Sequence, residues 1–196
     1  MSQTPLSRML ANDPRPDALS AFRAARRAFM DGRRIEMQEL AAELGVSRAT
    51  LFRWVGGKDQ LVAEVIWSIT EPTFDDAMER ARRKRGATRV AAVLGDVAEA
   101  TIRSEPFMTF VQREPERALR LLTTRSTAFQ GKLAERIEQL LREEVGAGRI
   151  DPPLPLHDLA YLTLRISETF VYADAIAGET PDPAKVRLAV RALLRG

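Results

Sequence analysis

The sequence predicts an all-α fold of about nine helices, and three observations support this prediction. From Asp17 almost to the end of the chain, apolar residues recur at three- and four-residue spacing, as they do on the buried face of a helix. Glycines and prolines divide this pattern into segments of helical length. None of the 196 residues falls in a convincing alternation of apolar and polar residues, which a half-buried strand would show.

Glycines and prolines set the limits of the predicted helices in chain order. Gly32, Gly45 and the pair Gly56-Gly57 end three short helices, because glycine tolerates the left-handed backbone of a helix end. A long fourth helix follows, in which Pro72 predicts a kink or a local break. Further glycines and prolines separate the remaining helices. The predicted ranges, which number ten when every short segment is counted separately, are 17–31, 37–44, 47–55, 58–85, 88–104, 106–113, 116–123, 127–145, 157–177 and 183–194.

The composition excludes several kinds of site. The chain has no cysteine and one histidine, which rules out disulfides and thiolate metal sites and leaves little for a nucleophilic triad. We therefore expect neither a metal nor a cofactor. No run approaches the roughly 20 apolar residues of a membrane span, and the first residues lack the apolar core of a signal peptide. These features predict a cytoplasmic protein that does not contact membranes.

The net charge of +3 is unevenly distributed along the chain. Residues 1–60 contain ten Lys/Arg and seven Asp/Glu, whereas residues 61–196 contain twenty of each. An excess confined to the N-terminal third is expected where that part of a protein binds a polyanion, although a solvated basic face gives the same balance. The position of the arginines must therefore decide between the two.

Two short helices joined by Gly45 fit a DNA-binding helix-turn-helix, and they also fit a plain structural hairpin of two helices. Ala41 is small enough to let the helices cross closely, and Ser47 can cap the second helix. The second helix carries two outward arginines and no acid between Glu43 and Asp59, whereas an ordinary solvent-exposed helix mixes glutamate with lysine. This pattern favours DNA recognition over the structural hairpin.

The predicted DNA contacts lie on this second helix and at the start of the next one. Arginine pairs with guanine edges or binds phosphate, and the alanine and threonine methyl groups suit thymine. Lys58 stands in the first turn of the long helix, where the helix dipole disfavours a cation unless a phosphate lies opposite; the alternative is an exposed lysine offset by Asp59. The predicted DNA-binding residues are Ser47, Arg48, Ala49, Thr50, Arg53, Trp54 and Lys58.

Residues 17–66 resemble the TetR family of transcriptional regulators. The matching motifs are Leu40-Ala41, Gly45-Val46-Ser47, Thr50-Leu51 and Lys58-Asp59-Gln60-Leu61. The remaining two-thirds agree in length and helix count. LFRWVGGKDQL and the following EVIWSI are similar to a QsdR-type subgroup, which controls the degradation of lactones or quorum signals.

Three positions depart from the family pattern. Phe52 stands where the family usually has tyrosine, so that a phosphate contact through the hydroxyl is absent. Trp54-Val55 replaces an aromatic-phenylalanine pair, and Glu36 stands where a threonine commonly caps the second helix. These departures leave the hairpin intact but put the family's usual DNA contacts in question at Phe52 and Trp54.

The resemblance implies a homodimeric repressor that binds a pseudo-palindromic operator on double-stranded DNA. In the family, a small molecule in the C-terminal domain shifts the long fourth helix and lowers the affinity for DNA. The predicted segments are accordingly a flexible arm (1–16), a helix-turn-helix DNA-binding domain (17–60) and a helical ligand-binding and dimerisation domain (61–196).

Helix 157–177 is apolar on more than one face, and the last helix has an apolar strip beside its arginines. The last two helices of each subunit therefore suit a four-helix dimer interface, while a core helix in a monomer is the alternative. Arg165 and Glu168 lie on this apolar helix, either as a salt bridge or as ligand contacts.

A small hydrophobic effector would need an apolar cavity with a few polar groups. The candidate lining residues are Trp67, Phe74, Phe107, Phe110, Arg113, Tyr161, Arg165, Glu168 and Tyr172, although aromatic residues at helical spacing are also typical of an ordinary core.

Two further functions remain as alternatives. A ligand-independent helical DNA-binding protein would need a small or solid C-terminal domain. A helical enzyme is the third hypothesis, but no nucleophile elbow, phosphate-binding loop or zinc motif supports it, and we expect no enzymatic activity.

Overall fold

The computed structural model describes residues 16–152 and 154–195, so the predicted arm lies outside the described residues except for Pro16. The described residues form eleven helices and no strand, which confirms the all-α prediction. Within them, no helix is long and apolar enough to cross a membrane. The helices are α1 (Ala18–Met30), α2 (Met37–Glu43), α3 (Arg48–Val55), α4 (Lys58–Arg80), α5 (Gly86–Arg103), α6 (Glu105–Arg113), α7 (Pro115–Thr123), α8 (Phe129–Gly146), α9 (Leu156–Val171), α10 (Ala173–Ala177) and α11 (Pro183–Leu193).

Two of the predicted helices differ from the structure by more than two residues. α4 ends at Arg80 rather than Arg85, and it runs through the exposed Pro72 without interruption. The predicted helix 157–177 is divided at Tyr172, which is the C-cap of α9 and the N-cap of α10. The sequence does not reveal this division, because buried apolar residues stand on both sides of it.

The N-terminal helices α2 and α3 pack against α1. α1 contacts α2, α3, α4 and α6, and alanines at 21, 24 and 25 let these neighbours approach closely. Leu51 is the anchor of α3, with none of its surface exposed. Fully burying a leucine side chain contributes about 2 kcal/mol, which holds α3 against this small core.

The C-terminal helices pack around α5, which contacts α4, α9 and α11, while α8 lies against α9. The fully buried carboxylate of Glu144 ties α8 to α5 by accepting hydrogen bonds from the Gly86 amide (2.7 Å), Arg89 (2.6 Å) and Arg149 (3.1 Å). Burial tends to raise the pKa of Glu144, but these donors hold it below its usual value. Gly86 has a φ of 55°, and a Cβ there would lie 2.8 Å from the Arg149 carbonyl oxygen.

Candidate DNA-recognition helix and ligand cavity

α3 begins at a well-defined cap. The Oγ of Ser47 accepts a hydrogen bond from the Thr50 amide at 3.1 Å, as expected of an N-cap serine. Gly45 makes the preceding turn with a φ of 65°, and Gly56 ends the helix with a φ of 77°. Both ends of α3 are therefore fixed by the residues that the sequence pattern picks out.

One face of α3 points away from the protein. Arg48, Ala49, Phe52 and Arg53 are exposed, and their spacing of one and four residues places them on a single stripe. The buried Leu51 lies on the opposite side. In the part of the chain that the structure describes, neither arginine has an ion-pair partner; Arg53 only approaches the Thr50 hydroxyl at 3.4 Å. Both guanidinium groups are thus available to an outside partner.

The aromatic residues of α3 are arranged differently from the sequence prediction. Trp54, predicted to contact DNA, is half-buried and packs against the core, because it lies three residues after Leu51 on the same side of the helix. Phe52 is 39% exposed and belongs to the outward stripe. The sequence prediction does not include Phe52 among the contacts, because phenylalanine lacks the tyrosine hydroxyl that could bind phosphate. Thr50 is half-buried at the edge of the stripe.

Lys58 is engaged within the protein. Its Nζ donates to the Oε1 of Glu36 at 2.9 Å, and its side chain is only 23% exposed. One hypothesis from the sequence is that Asp59 offsets the charge of Lys58. The structure does not support it, because the Asp59 carboxylate instead accepts hydrogen bonds from Arg117 (2.8 Å) and Arg120 (2.7 Å) of α7. Burial tends to raise the pKa of Asp59, but the two arginines hold it below its usual value.

A partly open cavity lies among α4, α5, α6, α8 and α9. Three of the nine predicted ligand-binding residues line it: Phe107, Glu168 and Tyr172. Its other walls are mostly aliphatic, and aliphatic residues on three separate helices cannot be assigned to one cavity from sequence alone. These lining residues are Leu94, Val97, Ala98, Phe129, Leu133, Ile137, Leu164 and Val171, with the hydroxyls of Thr70, Thr101 and Ser167.

The other predicted ligand-binding residues lie elsewhere. Phe74 is buried in the core beneath Arg136, whose guanidinium lies 5.1 Å from its ring. Trp67 packs edge-on against Phe129 with 6.1 Å between the ring centroids. Tyr161 is 51% exposed and lies beneath Arg165. Phe74 and Trp67 therefore belong to the packing between helices and Tyr161 to the surface. For Phe74 and Trp67 this agrees with the alternative interpretation, in which aromatic residues at helical spacing form an ordinary core.

Phe110 and Arg113 lie at the junction between α6 and the N-terminal helices. The Phe110 ring is 6.0 Å from the ring of Phe29 in α1. Arg113 donates to the carbonyl oxygen of Gly32 at 2.8 Å, in the turn after α1. Both residues border a separate surface depression that also includes Lys58 and Arg117. Phe110 and Arg113 therefore take part in the packing of α6 on the N-terminal helices rather than in the cavity.

The polar end of the cavity is formed by Glu168 and Tyr172, which are 7% and 6% exposed. The Oε2 of Glu168 lies 2.8 Å from Arg165, whose guanidinium also donates to the Thr123 carbonyl at 3.0 Å. Burial raises the pKa of Glu168 to about 7 despite this arginine. Burial likewise raises the pKa of the Tyr172 hydroxyl, which stays protonated. The Arg165–Glu168 pair is thus a salt bridge at the edge of the cavity.

Most hydroxyls in the cavity are already satisfied. Those of Thr70, Thr101 and Ser167 donate to carbonyls of their own helices at 2.8–3.0 Å. Among the described residues, the Tyr172 hydroxyl and the Oε1 of Glu168 make no hydrogen bond. One donor-acceptor hydroxyl and one carboxyl oxygen are therefore left for a ligand in an otherwise apolar space.

Comparison with known proteins places this arrangement in a family. Residues 85–195 match the family described as tetracyclin repressor-like, C-terminal domain. The structure is similar to that of the R. erythropolis transcriptional repressor QsdR from the TetR family, with 27% sequence identity, a TM-score of 0.82 and coverage of 90% of this chain and 93% of that one.

A second solved structure is less similar. The TetR family transcriptional regulator PfmR from Thermus thermophilus has 19% identity and a TM-score of 0.42, over 90% of this chain and 97% of that one. No curated protein sequence matches the chain. Because the family match spans more than half of the chain, the protein belongs to the TetR family of transcriptional regulators.

Proposed function

We propose that this regulator is a repressor that binds a pseudo-palindromic DNA operator as a homodimer and releases it when a small, mostly apolar effector occupies the cavity. The outward stripe of α3 carries this proposal, since it presents two arginines that have no acidic partner among the described residues, on a helix capped by Ser47 and anchored by Leu51. A major groove accepts a helix of this kind, and arginine is the commonest specific partner of guanine. Similarity to the repressor QsdR supports repression rather than activation of transcription.

The test of DNA recognition begins with selection of bound sequences from random DNA, followed by gel-shift affinities of variants. We expect Arg48→Ala and Arg53→Ala each to weaken operator binding about 5- to 150-fold, the range of about 1–3 kcal/mol for one lost base contact. Both side chains are exposed, so the thermal midpoint should hardly change. Arg125→Ala is the control, because Arg125 is an exposed arginine between α7 and α8. Wild-type affinity in both α3 variants would show that α3 is not part of the DNA interface.

The cavity favours a ligand-responsive regulator over a ligand-independent DNA binder, which would need a solid C-terminal domain. Its apolar walls suit an acyl or alkyl chain, and its polar end suits a neutral head group. A carbonyl oxygen of the effector would accept from the Tyr172 hydroxyl, and a donor beside it would bind the open oxygen of Glu168. A secondary amide has both groups side by side. The QsdR-type resemblance makes lactones and quorum signals the first compounds to test.

The polar end can be tested with three ligands that share one acyl chain length: an acyl amide attached to a lactone, an alkyl lactone without the amide, and the free fatty acid. We expect affinity by calorimetry, and the ability to release operator DNA, to fall in that order. The lactone lacks the donor, and the acid places a second carboxylate beside Glu168. Tyr172→Phe should weaken the amide about tenfold, the effect of one buried hydrogen bond. Tightest binding of the fatty acid, or no effect of Tyr172→Phe, would contradict this orientation.

A further inference from the structure

We propose that Glu36 is a positioning residue that withholds Lys58 from DNA phosphate and thereby lowers operator affinity. The inference rests on the proposed DNA-binding function, and it concerns a residue at which the chain departs from its family's pattern.

The geometry at Glu36 differs from that of an ordinary helix cap. Glu36 occupies the N-cap of α2 with an extended backbone (φ −108°, ψ 120°), yet its side chain makes no hydrogen bond to that helix. Its carboxylate turns instead to α4 and accepts from Lys58 Nζ at 2.9 Å. This hydrogen bond is the main reason that the pKa of Glu36 lies below its usual value. The carboxylate is therefore charged, and it accepts this hydrogen bond from a lysine 22 positions later in the chain.

The neighbouring charges leave Glu36 as the partner of Lys58. Asp59 is occupied by Arg117 and Arg120, and Glu114 by Arg117 (3.1 Å) and Arg34 (3.5 Å). In the described part of the chain, Lys58 and Glu36 pair with no other side chain. Arg34 and Arg117 are close enough to stabilise the charge of Glu36 further, so the carboxylate stays ionised.

This pairing conflicts with a phosphate contact. Lys58 is in the first turn of α4, where the free backbone amides and the helix dipole attract a phosphate. If Lys58 reaches that phosphate, it must leave an unpaired carboxylate close to the DNA. If it stays with Glu36, it neutralises no phosphate and releases no counterion. Both outcomes weaken binding, whereas a neutral residue at position 36 would free the lysine.

The experiment measures operator affinity of Glu36→Gln, Lys58→Ala and the double variant over a series of salt concentrations. We expect Glu36→Gln to bind about three- to tenfold more tightly at low salt, with a slope of log affinity against log salt that is steeper by about one, because Lys58 adds one phosphate contact. In the Lys58→Ala background, Glu36→Gln should have little effect on either quantity. Glu36→Thr is a second neutral variant that also supplies a capping hydroxyl.

Glu39→Gln is the matched control, since Glu39 is an exposed acid one turn away on α2 and has no ion pair in the described residues. It should change affinity less than about twofold. An unchanged salt slope in both neutral variants would overturn the proposal, even if their thermal midpoint fell. An equal gain in the presence and absence of Lys58 would also overturn it, since it would reflect only the loss of a negative charge near DNA. If the wild-type protein selects no DNA, the proposed function itself fails.

Discussion

Glu168 is a carboxyl group that the fold keeps away from water, and its titration differs from that of the other perturbed acids. Burial raises its pKa to about 7, whereas the pKa values of Asp59 and Glu144 are held below their usual range by arginines. Burial disfavours the charged form of any acid, so the number and closeness of the donors decide the direction. Glu168 has one arginine, and that arginine is shared with the Thr123 carbonyl.

This difference predicts a pH-dependent stability. Folded Glu168 holds a proton that the unfolded chain, with a pKa near 4.5, has already released. The free energy of unfolding should therefore fall as the pH rises from about 4.5 to about 7, and level off above. The shift corresponds to a loss on the order of 3 kcal/mol across this window. Urea denaturation at pH 5, 6, 7 and 8 would measure it.

Glu168→Gln should remove this decline, because glutamine does not titrate. The acids with lowered pKa values do not obscure the effect, since their contributions are lost only below about pH 4.5. An identical decline in Glu168→Gln would assign the titration to another group.

Single residues also show what the sequence can predict. The cap at Ser47 and the turn at Gly45 follow from local backbone requirements, so they are predictable. The partner of Lys58 is not, because Glu36 lies 22 residues earlier and the two meet only through the packing of α2 on its neighbours. Charged surface residues pair according to tertiary geometry, which leaves no periodicity in the sequence.

Whole helices are predicted best where both ends carry a conformational requirement. The sequence predicts α3 as 47–55, and the structure has Arg48–Val55 with Ser47 as its cap. The boundary between α9 and α10 has no glycine or proline, so the pattern runs through it. The faces of a helix are harder still to assign, as Trp54 and Phe52 show. Two positions along a helix correspond to a rotation of roughly 200°, so these residues face opposite sides, and the apolar pattern of a short helix does not determine which of them is buried.

The last helices carry the proposed dimer interface. α9 exposes 37% of Leu162 and α11 exposes 68% of Leu188, although α9 and α11 pack against each other within the chain. Exposed leucines on adjacent helices are what two copies would cover in a four-helix interface. Leu188→Arg should leave the monomer folded, because the side chain already faces solvent.

We expect Leu188→Arg to weaken dimerisation about 30- to 150-fold, the effect of about 2–3 kcal/mol for placing a charge in an apolar interface. Sedimentation equilibrium would detect the monomer. Leu19→Arg is the control, because Leu19 is also exposed (49%) but lies on α1. A dimer of wild-type strength in Leu188→Arg would place the interface elsewhere.

At the scale of the molecule, α6 connects the cavity with the N-terminal helices. Phe107 stacks on Tyr172 in the cavity wall with 6.3 Å between ring centroids. One turn later, Phe110 packs on Phe29 of α1, and Arg113 holds the turn after α1. The sequence prediction assigns Phe107, Phe110 and Arg113 to one ligand site, whereas the structure places Phe107 in the cavity and the other two residues at the contact with α1.

This arrangement predicts that α6 transmits binding of the proposed effector to the helices proposed to bind DNA. We expect an effector that displaces Phe107 to move α6, and the contact of Phe110 with Phe29 would then shift α1 and the α3 packed on it. Phe110→Ala should leave effector affinity within about twofold of wild type, because Phe110 does not line the cavity. It should reduce the effector-induced loss of operator affinity by about 1–2 kcal/mol, which is about a 5- to 30-fold smaller change.

The measurement is a complete cycle: the Kd for operator with and without effector, and the Kd for effector with and without operator. The two ratios must agree, because coupling between two binding sites is reciprocal. Phe110→Leu is the control, since it keeps an apolar contact with Phe29, and Phe107→Ala should instead weaken effector binding itself. If Phe110→Ala retains the wild-type coupling, the signal reaches α1 by another route, and direct displacement of α4, which carries Thr70 into the cavity and packs on α1, would be the remaining connection.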